Sequence, residues 1–132
     1  MYLDAGIETI AREDLEALQF SRLRRALDDA MRTPFYRKRF EENGVTLASF
    51  KTLADLEKLP FTTKNDLRLS YPDGMLAVDR AEIVRLHASS GTTGKSTVIF
   101  YTRDDIMNWS MQVARGMYSA GIRRTDVFQN MM

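Results

Sequence analysis

The sequence predicts a mixed α/β fold, a helical region over residues 1–80 followed by the first strands and helix of a sheet over 81–132. Three observations carry this. Apolar residues recur at helical spacing through the first part of the chain. Near residue 82 the pattern changes to short runs rich in β-branched and aromatic residues. Between two of those runs lies a stretch of serine, threonine, glycine and lysine, from Ser89 to Ser96.

Residues 13–31 read as a helix, because Phe20, Leu23, Leu27 and Met31 recur at helical spacing with Ala26 and Ala30 beside them. Arg22, Arg24, Arg25 and Arg32 form its wetter side, read as a solvated face. Thr33 can cap a second helix, with Pro34 at its first position, where no N–H is needed. Phe35, Tyr36 and Phe40 are its aromatics, and Gly44 suits a left-handed stop. Its Arg37, Lys38 and Arg39 are expected to face solvent. Thr52 with Asp55, and Thr63 with Asp66, each resemble a capping box opening a short helix; Pro60 and Pro72 end these segments. Tyr71-Pro72-Asp73-Gly74 reads as a turn.

Ile83, Val84 and Leu86 read as a strand, and Thr97 to Tyr101 as another. Thr102 and Asp105 then cap a helix with Ile106, Trp109, Val113, Met117 and Ala120 on one side. Met107, Met111, Ala114 and Tyr118 give it a second apolar side, the pattern of a helix sandwiched between layers. Trp109 and the methionines read as core rather than as a ligand pocket. Gly121 is the expected stop, and Val127-Phe128 the start of a further strand.

Composition narrows the chemistry. With 132 residues the chain is at most one domain. Nineteen basic and 18 acidic residues leave a net charge of +1, so no bulk field draws the chain to nucleic acid or to an anionic membrane. No cysteine and a single histidine exclude a disulfide framework and make a protein-built zinc site untenable. No basic-then-apolar leader opens the sequence and no apolar run approaches spanning length, so the expected location is the cytoplasm.

The stretch Ser89-Ser90-Gly91-Thr92-Thr93-Gly94-Lys95 is where chemistry concentrates. Glycines let backbone N–H groups approach an oxyanion closely. Hydroxyls donate neutral hydrogen bonds to phosphate oxygens, and lysine adds a mobile positive charge. By composition alone this is either a phosphate grip or a Ser/Thr/Gly-rich surface turn. It is not a P-loop. That pattern needs a glycine where Ser89 stands, and it opens into a helix, whereas β-formers follow here. His87, just before the stretch, reads as a strand residue with a satisfied hydrogen bond. Lys64 lies within reach of an anion only by conjecture.

Set between two strands, Ser89 to Lys95 resembles the phosphate-binding signature of the adenylate-forming superfamily. The flanks resemble its phenylacetate–coenzyme A ligase branch: Arg85-Leu86-His87-Ala88, Tyr101-Thr102-Arg103, Thr33-Pro34-Phe35-Tyr36-Arg37, Leu59-Pro60-Phe61-Thr62-Thr63-Lys64 and Gln129-Asn130. The resemblance runs from about Glu8 to Asn130. It implies that residues 81–132 begin the AMP-binding domain, as the first, incomplete part of its nucleotide-binding sheet. It implies a two-step reaction, in which an aryl acid attacks the α-phosphorus of ATP and coenzyme A then displaces AMP, with Mg2+ at the phosphates. Ser89, Ser90, Gly91, Thr92, Thr93, Gly94 and Lys95 would close over the β- and γ-phosphates as an electrostatic grip, with no catalytic residue assignable in this segment.

Two departures qualify that picture. The family usually has proline where Ser96 stands, and serine restores a donor and loosens the exit of the stretch. Family members also run to roughly three times this length, as two domains. The chain is therefore expected to be an N-terminal segment whose partners are the remaining ligase domains or a second chain. The alternative expectation is an inactive remnant that self-associates through an open sheet edge. A third is isolated nucleotide binding by the stretch itself.

Overall fold

The computed structural model describes residues 2–89 and 96–129. Its helices are α1 (Ala5–Glu8), α2 (Arg12–Met31), α3 (Pro34–Glu42), α4 (Lys64–Leu69) and α5 (Arg103–Ser119), with short 3-10 turns at Leu47–Ser49, Leu53–Lys58 and Arg80–Glu82. Strands β1 (Ile83–Ala88) and β2 (Val98–Thr102) pair antiparallel as a two-stranded sheet.

The helical region folds around a small core. Leu27 of α2, Phe40 of α3 and Phe50 are buried together, with Leu23, Met31, Tyr36, Val45, Leu47 and Leu59 packed against them. Leu23, Leu27 and Met31 share one face of α2, as their spacing requires. Thr33 joins the two helices. Its hydroxyl donates to the Ala30 carbonyl at 2.8 Å and accepts the Tyr36 N–H at 3.2 Å, so it closes one helix and caps the next. Gly44 (φ 63°) and Gly121 (φ 100°) occupy the left-handed positions expected at helix ends, where a Cβ is strained.

Both capping boxes form. The Asp55 carboxylate takes the backbone N–H groups of Lys51 and Thr52 at 2.7 and 2.8 Å, opening a 3-10 turn rather than an α-helix. Asp66 takes the Thr63 N–H and the Thr63 hydroxyl, both at 2.8 Å, at the start of α4. Arg39 departs from the solvated helix face expected of it. Its guanidinium donates to the Phe61 carbonyl at 2.8 Å and to Asp66 at 2.9 Å, and lies 4.7 Å from the centre of the Phe35 ring. A residue on a helix flank is turned inward here because the 61–66 segment crosses beside it, a contact no local pattern contains.

These bonds set an acid dependence. Hydrogen bonds from the Thr63 N–H and hydroxyl, then the Arg39 guanidinium, hold the Asp66 carboxyl below its ordinary range. Asp55 is depressed by Lys58 first and by the Lys51 and Thr52 N–H groups after it. A depressed folded-state pKa stabilises the fold above the unfolded value of about 3.9, and that contribution disappears as pH falls through the lower, folded value. The thermal midpoint of Asp66→Asn should therefore lie below wild type at pH 6, with the gap closing as pH falls below the ordinary carboxylate value of about 3.9. A gap that persists unchanged in acid would separate Asp66 from the effect.

The hairpin carries α5 on one side. The ladder runs Arg85↔Tyr101, Leu86↔Phe100, His87↔Ile99 and Ala88↔Val98, with a register shift between Ile83 and Arg85. His87, Tyr101 and Trp109 of α5 pack ring on ring, with centroids 5.0–5.6 Å apart. Tyr71 stacks on Phe100 at 6.3 Å. Arg115 of α5 reaches back to Asp4 at 3.6 Å and Glu8 at 3.9 Å.

Two expectations are corrected at this end of the chain. Helix α5 is not sandwiched. Ile106, Ala114, Met117 and Tyr118 are half-buried, but Met107, Met111 and Val113 are exposed, because the hairpin supplies only one layer. Val127-Phe128 is not a strand, and both side chains are exposed. A strand is held by a partner ladder, and none is present among the described residues. The total accessible surface is 10286 Å², against about 7,100 Å² for a compact monomer of this mass.

Candidate functional site

Of the residues expected to grip phosphate, Ser89 is described; Ser90, Gly91, Thr92, Thr93, Gly94 and Lys95 lie outside the described residues. Ser89 directly follows β1, and Thr97 directly precedes β2. The expected strand–stretch–strand order is therefore present, and the two strands are neighbours in one hairpin. Continuing the ladder by one step would pair Ser89 with Thr97.

That pair is unusual. The Ser89 N–H donates to the Thr97 carbonyl at 2.9 Å, as a regular antiparallel ladder requires. The Thr97 N–H does not return to the Ser89 carbonyl. It donates to the Ser89 hydroxyl oxygen at 3.0 Å. Thr97 is buried, and its own Oγ1 has no hydrogen-bond partner among the described residues. Sequence reading assigned Thr97 only to a β-rich run, since nothing local marks it as buried.

The other residues weighed from sequence fall into structural roles. His87 is a strand residue, as expected, and its ring packs against those of Tyr101 and Trp109; among the described residues no side-chain hydrogen bond to it is present. Trp109 packs its ring on the hairpin, but like Met107 and Met111 it is exposed, so none of the three is the core residue expected. Lys64 is the first residue of α4 and is exposed. Sequence reasoning missed a small cavity of about 180 Å³ between the 67–76 segment and β2, lined by Leu67, Tyr71, Pro72, Val98 and Phe100. Its walls come from segments some thirty residues apart. Among the described residues, no three acidic or histidine side chains gather as a metal site, and no helix is long and apolar enough to cross a membrane.

The crystal structure of 2-hydroxyisobutyryl-CoA ligase, in complex with 2-HIB-AMP and CoA in the thioesterification state, superposes with a TM-score of 0.86 at 32% identity. The match covers 95% of this chain and 28% of that one. The architecture is thus that of the N-terminal part of an adenylate-forming ligase. The chain is 49% identical to the phenylacetate-coenzyme A ligase of Thermus thermophilus over 131 residues, 98% of this chain. It is 49% identical to that of Pseudomonas putida over 122 residues, and to that of Escherichia coli K12 over 116. By sequence the chain belongs to the phenylacetate–coenzyme A ligase family. It spans only 29%, 27% and 26% of the lengths of these three relatives. No family model matches it.

Proposed function

We propose that this chain supplies the ATP phosphate grip of an AMP-forming ligase that joins an aryl acid of the phenylacetate type to coenzyme A. The observation that carries the reading is Ser-Ser-Gly-Thr-Thr-Gly-Lys set between two paired strands in a chain of this family. Attack of a carboxylate on the α-phosphorus of ATP drives negative charge onto the departing pyrophosphate. Donors held in place before the reaction stabilise that charge without reorganising. Ser89, Ser90, Gly91, Thr92, Thr93, Gly94 and Lys95 form the grip, with Lys95 its one full charge. Mg2+ would arrive with the nucleotide and neutralise phosphate charge, because the described residues gather no acidic cluster to hold it alone. Coenzyme A and the aryl acid act in the whole enzyme, which is the cytoplasmic setting proposed for this segment. The boundary near residue 80, between helical region and nucleotide-binding sheet, belongs to the same proposal.

The test is titration of the chain with Mg·ATP. Lys95→Ala should weaken binding by about tenfold or more, since hydrogen bonds to charged groups are the stronger class. The same change should flatten the dependence of affinity on salt. Unchanged affinity would remove the stretch from nucleotide binding.

The large exposed surface supports a second reading, an inactive module that associates through its sheet edges and the uncovered face of α5. Sedimentation separates the two. A chain that stays monomeric at high concentration is not such a module.

A further inference from the structure

We propose that the uncovered face of α5 pairs with the same face of a second copy of this chain, the two helices running antiparallel. This rests on the self-association reading above and names the surface that carries it. Asp104, Met107, Met111 and Arg115 follow one another at intervals of three or four residues, so they line one face of the helix. Trp109, which stacks on Tyr101, lies on the opposite face, toward the hairpin. Met107 is 60% exposed and Met111 41%. From Ile106 to Ala114 the helix carries no charged residue. A helix face turned to solvent is ordinarily charged and polar. Methionine with charge depleted is instead the composition of an interface centre.

The ends of that neutral span select the partner. Asp104 stands at the N-terminal end, exposed and without an ion pair among the described residues. Arg115 stands about three turns further on. It is loosely held: Asp4 and Glu8 lie 3.6 and 3.9 Å from its guanidinium, and its Nε has no hydrogen-bond partner among the described residues. Arg103 lies about 100° round the helix from Asp104 and stays off this face. One sign at each end makes the face complementary to itself when one copy is reversed. A two-fold axis midway between Met107 and Met111 sets Met107 against the partner's Met111 and Asp104 against the partner's Arg115, each contact made twice. A parallel pair would set Asp104 against Asp104. Methionine side chains adapt to one another without a preformed pocket. The surface is ample. Accessible area exceeds that of a compact monomer of this mass by about 3,000 Å², and a stable interface takes about 800 Å² from each partner.

The experiment is sedimentation of the whole chain over a range of concentrations, with each variant checked for helix content by circular dichroism. Wild type should dimerise. Met111→Glu places a charge on each side of the axis, and Asp104→Arg sets like charge against Arg115. Each should raise the dimer dissociation constant by about tenfold, and Arg115→Asp should do the same. Mixing Asp104→Arg with Arg115→Asp should restore pairing, because both end contacts of the mixed dimer then join opposite charges. Pairing through a sheet edge gives neither the losses nor the rescue. A wild-type chain that stays monomeric overturns this proposal and the self-association reading together, and leaves the face to the rest of a ligase polypeptide. A dimer that Met111→Glu and Asp104→Arg leave unchanged overturns the face alone. Losses without rescue by a folded Arg115→Asp overturn the antiparallel pairing. Should Arg115→Asp unfold, because it gives up Asp4 and Glu8, the other two variants decide the matter.

Discussion

Phe50→Ala should destabilise the chain by about 3–5 kcal/mol, the largest effect expected of any single truncation. Phe50 is 0% exposed and lies between Leu27 and Phe40 at the centre of the helical core. The site is poorly able to collapse around a void. Phe50 follows a 3-10 turn, and its carbonyl accepts the Arg24 guanidinium at 3.3 Å, so its backbone is anchored. Only three apolar side chains are buried among the described residues, so losing one removes much of the core. Against a typical domain stability of about 5–15 kcal/mol, the loss lowers the thermal midpoint by about 10–20 °C. Circular dichroism at 222 nm follows the transition. Phe50→Leu, which keeps most of the volume, should cost about 1 kcal/mol. Equal midpoints for the alanine variant and wild type would mean that the core lies elsewhere.

Thr33→Val should cost about 2 kcal/mol although it preserves shape. Thr33 is 1% exposed. Its hydroxyl serves the last turn of α2 and the first turn of α3 at once, donating to the Ala30 carbonyl and accepting from the Tyr36 N–H. Valine fills the same space but leaves the Tyr36 N–H buried and unpaired at a helix start. Thr33→Ser keeps the oxygen and should recover most of the stability. If valine and serine proved equally stable, the hydroxyl would carry no weight and the residue would matter only for packing.

Much of this fold is legible in local sequence because its elements are locally signalled. Thr33-Pro34 marks the α2–α3 junction through capping chemistry, and Thr63 with Asp66 and Thr102 with Asp105 do the same for α4 and α5. The two β-rich runs pair with each other, since a short connection favours neighbouring antiparallel strands. What was not legible depends on segments distant in sequence. Arg39 turns inward because Phe61 and Asp66 pass beside it. The exposed side of α5 and the unpaired Val127-Phe128 look like buried structure by pattern, yet pattern reports only what a segment can bury and not whether a partner is present. In the candidate site the stretch itself was plain from residue types. The Ser89–Thr97 bond was not, because no motif specifies whether a serine hydroxyl or its carbonyl accepts the next N–H.

The ring cluster of the hairpin has an optical consequence. Trp109 is the single tryptophan of the chain. Its indole stacks on Tyr101 and meets His87 edge-on, two residues before Ser89. Ultraviolet emission excited at the red edge of its absorption therefore comes from one place, the base of the hairpin that leads into the phosphate stretch. The protein carries its own fluorophore where nucleotide titrations need one, silent to events in the helical region and requiring no label.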